Sequence, residues 1–160
     1  GIFITLPDKK VWMYETNFSI YEKYFKDFFN LCEKWIGEVD IKICVENTDG
    51  FCSFEKKILN MLLESQKFGI TWDIGHSKAT KEIDVPLIKS FLTKLSHFHI
   101  HDGTENPPKN HLALGDGEIN LIERLALAQK TNSRCVLETK TIQALEKSVQ
   151  WIKKNLNYEI

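Results

Sequence analysis

The chain has 160 residues, 42% hydrophobic and 27% charged, with 21 Lys and Arg against 22 Asp and Glu. Those proportions belong to a single globular domain over residues 1–160 and exclude a disordered tail or a collagen-like repeat. A formal net charge of -1 and an isoelectric point near 6.6 leave no basic surface for a non-specific grip on nucleic acid, which is disfavoured as a partner. No apolar run approaches the roughly 20 residues of a membrane span, so no membrane partner is expected. The four cysteines, Cys32, Cys44, Cys52 and Cys135, form no C-x-x-C pair and read as reduced thiols of a cytoplasmic protein.

In chain order, strands alternate with helices. Residues 2–6 are short and apolar and read as a buried strand. Asn17 or Ser19 can cap the helix that follows, with Phe25, Phe28, Phe29, Cys32, Trp35 and Ile36 on one wide apolar face and Gly37 as its stop. Residues 41–45 form the next expected strand, and Ser53 can cap a second helix with Ile58, Leu59, Leu62 and Leu63 turned inward. A third strand is expected over 68–74, a short helix after Asp84 with Pro86 in its first turn, and a fourth strand over 95–101. A long polar loop with Pro107, Pro108, Gly115 and Gly117 comes next. A helix over 120–130, a fifth strand over 135–138 and a last helix over 142–155 complete the chain. Five βα units in succession imply a parallel sheet with right-handed crossovers, either doubly wound or part of a barrel. No G-x-G-x-x-G follows the first strand, so the dinucleotide fingerprint is missing.

The residues that end these strands carry the chemistry. The second strand ends in Glu46, the third in Asp73 with His76 three residues on, the fourth in His99 and His101, and the fifth in Glu138. In parallel α/β folds, sites are built at the C-terminal edge of the sheet. Alternation puts His97, His99 and His101 on one face of the fourth strand and Phe98 and Ile100 on the other. Carboxylates converging at such an edge repel one another, and a divalent cation resolves that conflict. Two Glu, one Asp and one His suit Mn, Mg, Co or Zn.

With the motifs VENTDG (45–50), WDIGH (72–76), HFHIHDG (97–103), HLALGDGEI (111–119) and VLET (136–139) in this order, the chain resembles the xylose isomerase-like TIM-barrel superfamily. That superfamily includes sugar epimerases, inosose dehydratases and endonuclease IV. The resemblance implies an α/β fold of parallel (β/α) barrel type, here about its last five units. It also implies one divalent metal ion held by Glu46, Asp73, His99 and Glu138. Glu46 and Glu138 inherit the candidate proton-transfer roles of an isomerase or epimerase that works on a small sugar or polyol through an enediolate. His76 and His111 match positions that bind further metal in endonuclease IV or touch substrate in the sugar enzymes. His101, one alternation beyond His99, and Trp12, which could stack on a sugar or close a core, are further candidates on the substrate side.

The chain also departs from the pattern. Lys109 stands where endonuclease IV has an Asp, which weakens the alternative of a zinc phosphodiesterase on abasic DNA. Cys52 and Glu105 stand where the sugar epimerases often have Glu and Arg. A full barrel runs to about 250 residues and eight strands. The chain is therefore expected to be the C-terminal portion of a longer barrel, or to complete its sheet as a homo-oligomer. A catalytically silent barrel fragment, or a remnant that binds a partner, is the third reading.

Overall fold

The computed structural model describes residues 3–156. The chain divides into two compact units, one of residues 1–43 with 51–68 and one of residues 44–50 with 69–160.

In the first unit, β1 (Phe3–Thr5) pairs antiparallel with β2 (Lys10–Trp12), Phe3 opposite Trp12. This corrects the expected buried strand over 2–6: Phe3, Ile4 and Thr5 are exposed and belong to a two-stranded ribbon, while Ile2 lies outside the described residues. The reason is local. Pro7 and Asp8 are turn formers, and the Leu6 amide donates to the Lys9 carbonyl at 2.8 Å, so the chain reverses at once. The short α1 (Met13–Thr16) leads into α2 (Phe18–Ile36), which ends at Gly37 with φ 54°, a left-handed stop that suits glycine. The inward stripe of α2 is narrower than expected. Phe25, Phe29, Cys32 and Ile36 are half-buried, whereas Phe28 and Trp35 join Ile20, Tyr24 and Leu31 on an exposed apolar stripe. Helix α3 (Ser53–Leu63) is capped by Cys52 rather than Ser53, with Sγ accepting from the Glu55 amide and the Glu55 carboxylate accepting from the Cys52 amide. The core of this unit gathers around buried Phe54, with the rings of Tyr14, Phe18 and Phe25 centred 5.0, 5.2 and 6.0 Å away.

The second unit is built on a four-stranded parallel sheet in the order β3 (Ile43–Glu46), β4 (Phe68–Asp73), β5 (Leu95–Ile100), β8 (Arg134–Leu137). Strand β4 is buried along its whole length, whereas in β5 Leu95, Phe98 and Ile100 are buried and Ser96, His97 and His99 half-buried. Trp72 and Phe98 meet with ring centroids 5.6 Å apart, and Arg124 lies over the Trp72 ring at 4.7 Å. Helix α4 (Ile74–Ala79) begins on the Asp73 cap, and α5 (Val85–Ser90), α6 (Leu121–Lys130) and α7 (Ile142–Leu156) match the expected helices to within a few residues. The polar loop after β5 is not irregular throughout. It folds into an antiparallel hairpin, β6 (Asp102–Thr104) and β7 (Lys109–Leu112). Asp102 anchors the segment that follows: its buried carboxylate accepts from the amides of Gly103, Gly115, Gly117 and Ile119 at 2.8 to 3.1 Å. The G-D-G at 115–117 is thus a turn wrapped on a carboxylate, not a phosphate cradle.

Candidate metal centre

The ladder of the sheet places the candidate ligands side by side. Asp73, the last residue of β4, is opposite His99 in β5, and His99 is opposite Val136 in β8. Glu46 ends β3, and Glu138 follows β8 with its amide still on the ladder, donating to the Ile100 carbonyl at 3.1 Å. Each of four adjacent parallel strands therefore delivers one candidate ligand to the same edge. One donor atom from each of Glu46, Asp73, His99 and Glu138 lies within 4.8 Å of the others.

The geometry centres on His99 Nδ1. It is 3.1 Å from Glu46 Oε1, 2.8 Å from Glu138 Oε2 and 3.8 Å from Asp73 Oδ2. A single ring nitrogen carries at most one proton and cannot satisfy three carboxylates. The Glu138 contact is close but lacks hydrogen-bond geometry, so Glu138 Oε2 is a buried oxygen without a hydrogen-bond partner. An orphaned carboxylate oxygen turned towards two further carboxylates and an imidazole is the arrangement a divalent cation satisfies, and the O,O,O,N set suits a hard or borderline ion. The residues present fit the ion implied by their pattern.

Asp73 is fully buried. Burial alone would push its carboxyl up, but the hydrogen bond from His101, with the His76 amide and imidazole, outweighs that and holds it below the ordinary carboxyl value. It stays charged and available as a ligand. Asn47 secures the same strand end from behind: it is fully buried, accepts from the Asp73 amide at 2.8 Å and donates to the Asp73 carbonyl at 2.9 Å.

The other histidines divide. His76 Nδ1 sits 3.4 Å from Asp73 Oδ2 and 3.7 Å from Glu46 Oε1. His111, on β7 with φ 56°, places Nε2 3.2 Å from Glu138 Oε1. Burial first, then the neighbouring His101, lowers its pKa. Asp73, His76, His101 and His111 make a second grouping of close donor atoms. His101 itself is fully buried, past the end of β5, with both ring nitrogens engaged by protein atoms. His97 is half-buried, edge-on to His99 at 5.2 Å, and its pKa is lowered by burial and then by His99 and Arg134. Trp12 belongs to the first unit, where its ring stacks on Tyr14 at 5.4 Å and meets the edge of Phe3.

Sequence reasoning missed Asn47, Asp102 and Gly75 as parts of this apparatus. The first two stand inside the quoted motifs directly after a candidate residue, in V-E-N and H-I-H-D, and that adjacency was the available signal.

A family model described as the xylose isomerase-like TIM barrel matches residues 10–155. The chain belongs to that family. Four parallel strands with helices between them are consistent with part of such a barrel, and the edge that carries the carboxylates and imidazoles is the one where TIM barrels build their sites. No curated protein matches the chain. No helix among the described residues is long and apolar enough to cross a membrane.

Proposed function

We propose that this xylose isomerase-like chain is a divalent-metal-dependent isomerase or epimerase acting on a small sugar or polyol. One observation carries the reading: a buried oxygen of Glu138 that makes no hydrogen bond converges with Glu46, Asp73 and His99 at the C-terminal edge of the parallel sheet. A divalent ion bound there would polarise the carbonyl and adjacent hydroxyl of a sugar and acidify the carbon between them. Asp73, held charged by His101 and the His76 amide, anchors the site from below. Glu46 and Glu138 rise from the two outer strands of the sheet, so they flank whatever sits over His99. A carboxylate in that position removes a proton from the activated carbon, and its counterpart delivers one to the opposite face or to the neighbouring carbon. His111 Nε2 lies 3.2 Å from Glu138 Oε1 and His76 lies beside Glu46, so both steady these carboxylates.

Metal content per chain, measured by mass spectrometry on protein purified without chelator, tests the reading together with deuterium exchange into a panel of free and phosphorylated sugars. About one divalent ion per chain, lost in Glu138→Ala, with exchange of a sugar C–H in D2O, is the expected result. Two or three zinc ions with nicking of an abasic duplex would replace it with phosphodiester hydrolysis. No ion after soaking with Mn and Zn would overturn it.

A further inference from the structure

Three histidines alternate in H-F-H-I-H, and His99 is the one that presents a ring nitrogen to Glu46 and Glu138. His101 is fully buried. Its Nδ1 lies 2.7 Å from the His111 amide nitrogen, which donates to it. A ring nitrogen that accepts an N–H at that distance carries no proton. The Asp102 carbonyl, 3.3 Å from the same Nδ1, is then a contact and not an acceptor. The ring proton must therefore sit on Nε2, which is 2.9 Å from both oxygens of Asp73. Both nitrogens are consumed within the protein, and neither is left for a metal ion or a substrate hydroxyl.

The surroundings are built around this ring. A Cβ on Gly75 would lie 2.0 Å from His101 Cε1 and 2.1 Å from Nδ1, so the ring occupies space that only glycine leaves at that position. The ring also stacks on the His111 imidazole, centroids 4.2 Å apart and planes 8° from parallel. His111 has φ 56°, a backbone conformation that side chains other than glycine's disfavour, and the bond from its amide to His101 holds it there.

We infer that His101 is a positioning residue that fixes two parts of the site with one ring. Through Nε2–H it sets the plane of the Asp73 carboxylate, and with the His76 amide on Oδ1 it leaves Oδ2 facing His99. Through Nδ1 it sets the turn that brings His111 to Glu138. It also follows that the second grouping of donor atoms loses one of its four members, since His101 has no lone pair to give. This inference rests on the reading of Asp73 as a metal ligand only for its effect on metal binding. The tautomer and the hydrogen bonds stand without it.

The test has two arms on the full chain. In the first, 15N chemical shifts of the histidine rings are recorded in metal-free protein, with His101→Gln assigning the signal. An unprotonated Nδ1 and a protonated Nε2 are expected, and a protonated Nδ1 would overturn the proposal. In the second, Mn2+ alone is titrated and the free ion followed by electron paramagnetic resonance. His101→Leu, which keeps neither bond, is expected to weaken Mn2+ binding by about 10- to 100-fold, the usual cost of losing a partner behind a ligand. His101→Asn keeps only an acceptor for the His111 amide and should behave like His101→Leu. His101→Gln, whose amide reaches Asp73 as a donor, should recover most of the affinity. Circular dichroism without metal checks that each variant is folded. Binding by folded His101→Leu equal to the parent chain's, or His101→Gln no better than His101→Leu, would overturn the proposal. If the parent chain binds neither Mn2+ nor Zn2+, the metal reading of the site fails and the ring tautomer alone decides the role of His101.

Discussion

Replacing Asp102 by Asn should be among the most damaging single-atom changes in this chain. The side chain is 1% exposed, and its two oxygens divide four amides between them. Oδ1 accepts from Gly103 at 2.8 Å and Ile119 at 3.1 Å, and Oδ2 accepts from Gly115 at 3.0 Å and Gly117 at 2.9 Å. Whichever oxygen becomes NH2, two amide donors then face a third donor. Two bonds to a charged acceptor are lost, at about 1.5–3 kcal/mol each, and two N–H groups lose their acceptor. The expected loss is therefore about 3–6 kcal/mol, a large fraction of the roughly 5–15 kcal/mol that stabilises a typical domain. No rotation relieves it, because both oxygens are equally loaded. Nor can the neighbouring turn yield easily, since a Cβ on Gly117 would already lie 2.3 Å from Asp102 Oδ1. Urea unfolding followed by circular dichroism should show the midpoint falling with an unchanged slope. Hydrogen exchange should show the Gly115 and Gly117 amides losing their protection first. A loss under about 1 kcal/mol, with both amides still protected, would refute the account of the carboxylate as the anchor of residues 113–119.

Three further changes probe other links. Asp84 is buried, with Oδ1 lacking a partner, and burial raises its carboxyl above the ordinary value against the pull of Ser77 and Asn47. The folded state thus holds this proton more tightly than the unfolded state. Its contribution is full below the unfolded pKa and is lost as pH rises through the raised folded pKa. Asp84→Asn should therefore gain on the order of 1 kcal/mol at pH 8 and nothing near pH 3, and urea midpoints across that range will show whether the two curves converge on acidification. Cys52→Ser should stabilise the first unit by about 0.5 kcal/mol, because a hydroxyl caps better than a thiol accepting at 3.4 Å. A thermal melt of that variant below the parent's would contradict this. Gly75→Ala should cost about 1–3 kcal/mol by forcing the His101 ring aside. It should also weaken Mn2+ binding as His101→Leu does, and a normal Mn2+ titration in the folded variant would separate the glycine from the ring.

The parts of the fold and site that were legible in the sequence rest on short-range periodicity. Apolar runs ending in a polar residue marked β3, β4, β5 and β8. Period-two alternation then put Asp73 and His99 on the same side, and the ladder aligns those two residues. The misreadings arose where a local signal was outweighed or overlooked. Residues 2–6 resemble a strand and Phe3–Thr5 form one, but Pro7 and Asp8 turn the chain back on itself before that strand can join the sheet. Helix α2 is apolar over so much of its circumference that the pattern could not say which stripe packs. Phe25 and Phe29 are half-buried, whereas Phe28 and Trp35 are exposed.

His99 and His101 mark the limit of such reasoning most clearly. By alternation alone they are equivalent: the same residue type, on the same side of one strand pattern. Alternation holds only while the strand lasts, and β5 ends at Ile100. His99 is still in register with Asp73, so its ring stands among Glu46, Asp73 and Glu138. His101 lies one step beyond the ladder, and what it does depends on residues that no local pattern connects. Gly75 makes room for its ring, Asp73 takes its proton, and the His111 amide arrives on the hairpin. Asp102, the next residue, holds the turn after that hairpin through amides that lie up to 17 residues away in sequence. The strand ends thus bring the four candidate ligands together, while the residue that orients one of them is specified by contacts 10 to 28 residues distant. A ligand can be found from its strand, but its orientation depends on contacts that only the folded chain creates.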